Sequence, residues 1–308
     1  MLDLRRLEIL CRFAVRGTIT ATAADLGYSP SAVSQQLTTL EKEAGVPLLE
    51  RTAQRATLTD AGRELVRHAT GILAAAETAR ARMRARAGTV AGKVVVSCIP
   101  ALAPALAPHL ATLQRDHPAL TVVALETGSA SAAAAVLDRR HDLAVIDEWS
   151  AAPSPVAGGL RVDRLRGERI VLAVPTDHPE AGLAAPVTHA RLAETVRDHT
   201  WLCAPAGELS RAAGDRRLVA AGAAPPRRWE FQGLRVLAAL VAAGSGVALL
   251  PEGVAREEPG VRGVRLAPPM RRGILALTRP GSREDPAVAA CLEATRRALG
   301  ERRHADEA

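Results

Sequence analysis

The stretch Thr20-Ala-Thr-Ala-Ala-Asp-Leu-Gly-Tyr-Ser-Pro-Ser-Ala-Val-Ser-Gln-Gln-Leu-Thr-Thr-Leu-Glu41 reads as two short helices joined by a tight turn. Gly27 can take the left-handed conformation that ends the first helix. Ser29 suits an N-cap, Pro30 the first helical position, and Gly45 a stop for the second helix. Val33, Leu37, Leu40 and Ala44 recur at helical spacing, so one side of that helix is apolar. Ser31, Gln35, Thr38 and Lys42 recur equally well on the other side, with Ser34 beside them. Nearly all of these are groups that hydrogen-bond base edges or phosphates.

Two helices at such a turn make a helix-turn-helix, whose second helix enters the DNA major groove with its N-terminal residues towards the bases. In this chain those residues are Pro30, Ser31, Ser34 and Gln35; glutamine can bond adenine bidentately, and serine either a base edge or a phosphate. Thr22, Ser29, Thr38 and Lys42 complete the candidate contacts on the helices. Upstream, Leu4, Leu7, Leu10 and Phe13 predict an apolar first helix ending at Gly17. Downstream, the run from Val46 to Thr59 is rich in β-branched and turn residues and predicts a small β-wing. It would carry Arg51 and Arg55 to the phosphate backbone, which positions a protein without specifying sequence.

From Thr59 the pattern becomes one long helix. Leu65, Ala69, Ile72, Ala76, Ala79 and Met83 alternate spacings of four and three, a heptad seam with Val66 and Leu73 beside it. A rod of roughly 27 residues would be about 40 Å long, which is hard to bury in one domain. A second subunit is the expected partner, and a dimer sets two reading helices on two half-sites.

At this point residues 1–87 resemble the winged helix-turn-helix and linker helix of the LysR-type transcriptional regulators. The resemblance is carried by Leu4-Arg5-Arg6-Leu7, Gly17-Thr-Ile-Thr-Ala-Thr-Ala-Ala-Asp-Leu-Gly27, Ser31-Ala-Val-Ser-Gln-Gln-Leu37, Gly45-Val-Pro-Leu-Leu-Glu-Arg51 and Leu58-Thr-Asp-Ala-Gly62. Two departures stand out. Ser29-Pro30-Ser31 replaces the family's frequent Ser-Gln-Pro, removing a glutamine from the helix start, and Leu49 stands where phenylalanine is frequent.

Composition adds bounds. The chain has 308 residues, enough for two or three folding units with ample core. Its net charge is +7, and residues 1–87 hold 13 Arg/Lys against 9 Asp/Glu, so the basic excess leans to the front. Only Lys42 and Lys93 are lysines. With the abundant alanine this reads as the bias of a GC-rich genome, which weakens the charge as a nucleic-acid signal. No secretory signal or apolar run of bilayer length is evident, so a cytoplasmic, non-membrane protein is expected. Four scattered cysteines form no Cys-x-x-Cys and no metal spacing. Phosphate-binding loops, zinc-protease motifs and nucleophile elbows are also missing, so neither catalysis, metal nor cofactor is expected.

After a hinge at residues 88–92, strands alternate with helices: Lys93–Ile99, Leu120–Glu126, Asp142–Ile146 and Ile170–Val174 read as buried strands. This order predicts a parallel sheet covered on both faces. It is similar to the family's effector-binding domain, and Val241-Ala-Ala-Gly-Ser-Gly-Val-Ala-Leu-Leu-Pro251 is the most specific match. The resemblance implies a periplasmic-binding-protein-like fold of two α/β subdomains with a ligand cleft between them. The domain plan is therefore a winged helix-turn-helix over 1–58, a linker helix over 59–87 and an effector domain over 93–308. Subdomain I spans about 93–160 and 270–300, and subdomain II about 161–269.

Ligands of open sheets bind beyond the carboxyl ends of strands. Those places are Pro100-Ala101 and Gly128-Ser129 on one side, and Cys203-Ala204 and Phe231-Gln232 on the other. Ser129 can cap its helix or donate to an anion, Arg235 can pair with a carboxylate, and the cleft reads as small and rather apolar. Cys98 and Cys203 leave a redox-sensing alternative beside the simpler role of buried small hydrophobes. The whole pattern predicts a homodimeric or homotetrameric regulator that binds promoter DNA and a small-molecule effector. The resemblance further implies contact with RNA polymerase on activation. A solute-binding or transport protein, and an architectural or replication-linked DNA binder without an effector, are the remaining rivals.

Overall fold

The computed structural model describes residues 1–300 except 53–54, 87, 151–153, 155 and 157–158, with the backbone alone of Arg84; these fall into two units. The first comprises Met1–Thr89 and Arg279–Pro286. Its helices are α1 (Leu4–Arg16), α2 (Ile19–Leu26), α3 (Pro30–Ala44) and α4 (Asp60–Arg86), with β1 (Leu49–Arg51) and β2 (Ala56–Leu58) before α4. Asp3, Thr18 and Ser29 cap α1, α2 and α3 through their side chains, and Gly17, Gly27 and Gly45 end the same helices in the left-handed conformation. Leu7, Leu10, Phe13, Val33, Leu37 and Leu40 are fully buried together, so the expected apolar side of α3 is the side that packs. Burying each such side chain contributes about 1.5–3 kcal/mol. Ion pairs fix the angle between helices: Arg16 reaches Asp25 at 2.6 Å across α1 and α2, and Arg6 pairs with Glu43 across α1 and α3.

The wing is an antiparallel pair with Leu49 opposite Leu58 and Arg51 opposite Ala56. Leu49 is buried in the small core, filling the place of the larger side chain that the resemblance led one to expect. Where α4 begins, the Thr59 hydroxyl accepts from Gly62 N–H at 2.9 Å and donates to the Pro47 carbonyl at 2.9 Å. A Cβ on Gly62 would stand 2.2 Å from the Leu48 carbonyl oxygen, so only glycine permits this approach.

The heptad seam of α4 divides. Ala69 and Leu73 are buried against the small core with Leu65 and Val66 packed beside them, whereas Ile72 and Met83 are exposed. One side of the helix thus covers its own domain, while Ile72 and Met83 stay open. The turn Arg279–Pro286 packs with this unit: Arg279 forks onto Glu77 of α4 with its Nη2 at 2.6 Å.

The second unit comprises Val90–Thr278 and the described residues from Ala287. Its strands are β3 (Gly92–Cys98), β4 (Leu120–Glu126), β5 (Leu143–Trp149), β6 (Arg161–Pro175), β7 (Trp201–Cys203), β8 (Arg228–Glu230), β9 (Val247–Pro251) and β10 (Val261–Thr278). Helices α5 (Ala103–Asp116), α6 (Ser129–Leu137), α7 (His189–Asp198), α8 (Leu209–Ala220), α9 (Leu234–Ala242), α10 (Glu252–Glu257) and α11 (Pro286–Gly300) complete it. The strand order is β4-β3-β5-β10-β6-β9-β7-β8.

This sheet is mixed, which corrects the expectation of a parallel one. Two parallel trios, β4-β3-β5 and β9-β7-β8, flank β10 and β6, which pair antiparallel with each other and with their outer neighbours. The two long strands are the crossovers. Residues 161–166 of β6 pair with 274–278 of β10 beside the first trio, so the early part of β6 lies with the subdomain I strands. Separate apolar cores form on the two trios, one around Leu106, Val145 and Ile274, the other around Trp201, Leu172 and Val264. In the family-specific run, a Cβ on Gly246 would lie 2.2 Å from the Thr200 carbonyl oxygen, so β9 can only approach β7 with glycine there.

Candidate nucleic-acid interface and ligand cleft

With its apolar side buried, α3 presents Pro30, Ser31, Gln35, Thr38 and Lys42 to solvent, while Ser34 is half-buried. Ser29 is exposed, and its hydroxyl accepts from Ala32 N–H at 3.2 Å and stands 3.0 Å from that of Ser31. Thr22 is a correction. It is fully buried, and its hydroxyl donates to the Thr18 carbonyl at 2.7 Å, so no duplex can reach it. A threonine one turn into a short helix satisfies its own hydroxyl by bonding back along the helix.

Arg51 does not project from the wing. Its guanidinium lies across α3, donating to Ser34 Oγ at 2.8 Å and to Thr38 Oγ1 at 3.1 Å, with Glu41 at 3.8 Å. Glu41 in turn accepts from the Leu48 and Leu49 N–H groups at 2.9 Å each, which ties the wing to the helix. The reading face, which already carries Lys42, therefore gains a guanidinium from the wing. Arg55 is exposed at the wing turn, where its N–H donates to Thr52 Oγ1 at 3.1 Å.

In the second unit a cavity of about 330 Å³ opens beyond the carboxyl ends of β3, β4, β5 and β7. Pro100, Ala101, Gly128, Ser129, Ala204 and Gln232 line it, six of the eight residues expected there. Cys203 and Phe231 do not line it: Cys203 is buried in the core behind and Phe231 is partly exposed outside. Gly128, not Ser129, is the N-cap of α6. The Ser129 hydroxyl instead donates to Asp147 Oδ1 at 2.6 Å and accepts from the Asp147 N–H at 3.2 Å. Arg235 faces Glu257 at 2.9 Å and is outside the lining.

Asp147 is the residue the sequence reading missed. It is 7 % exposed, and it also accepts from Trp149 Nε1–H at 2.7 Å and from Arg272 Nη1 at 3.4 Å. Arg272 continues to Glu168 at 2.6 Å, and its guanidinium lies 5.7 Å from the Trp149 ring centroid. A buried carboxylate is tolerated because each oxygen is bonded and its charge is matched. Glu126 and Glu208 also line the cavity, so it is acidic where an apolar site was expected. Glu126 closes β4 and Asp147 lies two residues before the end of β5.

Neither cysteine suits redox sensing. Burial, with the Glu126 charge nearby, pushes the Cys98 thiol up to about 11, and burial raises Cys203 despite Arg211 and Arg228. A sensor needs a lowered, exposed thiolate. Among the described residues no cluster of three or more metal-ligating side chains occurs, and no helix is long and apolar enough to cross a membrane.

Comparison with known proteins agrees with this architecture. Residues 4–63 match the bacterial regulatory helix-turn-helix protein, lysR family, and residues 87–300 match the LysR substrate binding domain. The nitrogen assimilation regulatory protein nac of Escherichia coli is 29% identical over 257 residues, covering 83% of this chain and 80% of that one. The probable HTH-type transcriptional regulator LtrA of Klebsiella pneumoniae is 38% identical over 73 residues, so the match spans 24% of either length. Among solved structures, a full-length OxyR variant from Pseudomonas aeruginosa superposes with a TM-score of 0.66 at 23% identity, covering 96% of this chain and 95% of that one. HinK, a LysR family transcriptional regulator from the same organism, gives 0.55 at 19% identity, covering 97% and 99%. At these identities the structural likeness is one of fold. With both domain models matched in order along one chain, the protein belongs to the LysR family.

Proposed function

We propose that this protein is a sequence-specific regulator of transcription that binds promoter DNA as a homodimer or homotetramer and responds to a small-molecule effector in the cleft of its second unit. The observation that carries the reading is the two-sided α3: Val33, Leu37 and Leu40 are buried while Ser31, Gln35 and Thr38 stay exposed. Base edges are read by such short neutral groups. The exposed Ile72 and Met83 on α4 support pairing with a second copy, which would place two reading helices on two half-sites. An effector acts by linkage, shifting the DNA-bound arrangement only as far as its affinities for the two arrangements differ. Contact with RNA polymerase in the cytoplasm completes the proposal for activation.

A mobility-shift assay on the DNA upstream of the protein's own gene tests it. Retention of the shifted band at moderate salt against excess random DNA is expected, because phosphate-driven binding alone is lost there. Equal affinity for both DNAs would overturn the regulator reading in favour of an architectural binder.

A further inference from the structure

The charge of the cavity in the second unit points to a class of ligand. Glu126 comes from the end of β4 and Glu208 from the start of α8, one carboxylate from each trio's side of the cavity. Neither has an ion-pair partner among the described residues, whereas the charge of Asp147 is matched by Arg272. Among the described residues, no lysine, arginine or histidine lines the cavity. The same volume also receives the first turns of α6, α8 and α9, and no side chain caps any of them. Helix starts offer backbone N–H donors and favour an anionic group.

These two demands are opposite in sign and share one small space. A dicarboxylate would satisfy the helix starts but bring like charge towards Glu126 and Glu208. A polyamine would satisfy the carboxylates and leave the N–H groups without an acceptor. One molecule carrying both an ammonium and a carboxylate answers both. The cavity, at about 330 Å³, is at the small end of the range for ligand pockets, which suits a molecule of that size. We propose that the cleft takes a small zwitterion of the α-amino-acid class. Its carboxylate lies on the N–H groups of Ser129, Ala130 and Ser131, and its ammonium lies against Glu126 and Glu208. This rests on the cleft being the effector site of the proposed regulator.

The test uses the full chain and tryptophan fluorescence, since the Trp149 indole is bonded to Asp147 in the cavity wall. The common α-amino acids are titrated, each beside its deamino carboxylic acid and its decarboxylated amine. At least one amino acid is expected to bind ten-fold or more tightly than both of its analogues. An E126Q/E208Q double variant, checked for an unchanged melting profile, is expected to weaken that binding ten-fold or more. Equal binding of the deamino acid, unchanged binding by the double variant, or silence across all the amino acids would overturn the proposal. A S131W variant separates the two levels. A non-amino compound whose binding S131W abolishes leaves the effector cleft standing and overturns only the ligand class. Ligand binding that S131W does not affect overturns the cleft itself.

Discussion

The two candidate sites are assembled in opposite ways. Every reading residue of α3 lies within one 15-residue helix, and the residues opposite them on that helix are buried. The cavity of the second unit gathers its walls from stretches of chain scattered between Ile99 and Leu234. The first site carries Lys42 and adds one guanidinium from the wing, whereas the second is acidic. A face on one helix survives as long as the helix packs. A site drawn from several strand ends depends on the bonds that hold those ends together, here the chain from Ser129 through Asp147 and Arg272 to Glu168.

The largest expected effect breaks that chain. Arg272→Met leaves Asp147 without its cation in a buried place while Glu168 keeps Arg166, and a loss of about 3–5 kcal/mol is expected for the second unit. Urea unfolding followed at the tryptophans, all of which belong to that unit, measures it; a loss below 1 kcal/mol would mean that Arg272 does not hold the wall.

A smaller effect separates the two units by pH. His178 is held below its usual range by burial and by His199, whose Nε2 lies 3.2 Å from its own. The Glu180 N–H donates to His178 Nδ1 at 3.1 Å, so in this arrangement that nitrogen accepts and carries no proton. Burial lowers His141 as well. Groups with a lowered folded pKa bind more protons when unfolded, so their contribution is present above pH 6.5 and is lost as pH falls below it. The second unit is expected to lose stability between pH 7 and pH 5.5, and His178→Gln to flatten that slope. An unchanged slope in the variant would contradict the assignment.

The smallest effect tests the correction at Thr22. Thr22→Val removes one buried hydrogen bond, so a stability loss of about 1 kcal/mol with unchanged DNA affinity is expected from paired melting and binding curves. A drop in affinity without a drop in stability would return Thr22 to the interface.

How much was legible follows from the same contrast. The caps, the turn and the packed side of α3 are local patterns, and the sequence displays them at Ser29, Gly45, Val33 and Leu37. The position of Arg51 on Ser34 and Thr38 joins residues 13–17 apart across the connection from α3 to β1, which no periodicity reveals. Cleft residues next to strand ends, such as Pro100 and Gly128, were readable because loops follow strands. The acid character was only partly legible: Glu126 closes a strand, but Glu208 shares its cavity through long-range packing that no local pattern shows. Likewise the front of the α4 seam was read as an interface when Ala69 and Leu73 close the chain's own core.

The most direct test of the central claim is the ratio of specific to random-DNA affinity for wild-type protein and Gln35→Ala, measured by anisotropy at several salt concentrations. Gln35 is exposed in the middle of the reading face, and its loss is expected to remove about 1–3 kcal/mol of discrimination. Random-DNA affinity and its salt slope are expected to stay as they are, since no phosphate-binding cation is removed. If both affinities fall together and the ratio is unchanged, Gln35 does not read bases and the assigned face of α3 is wrong.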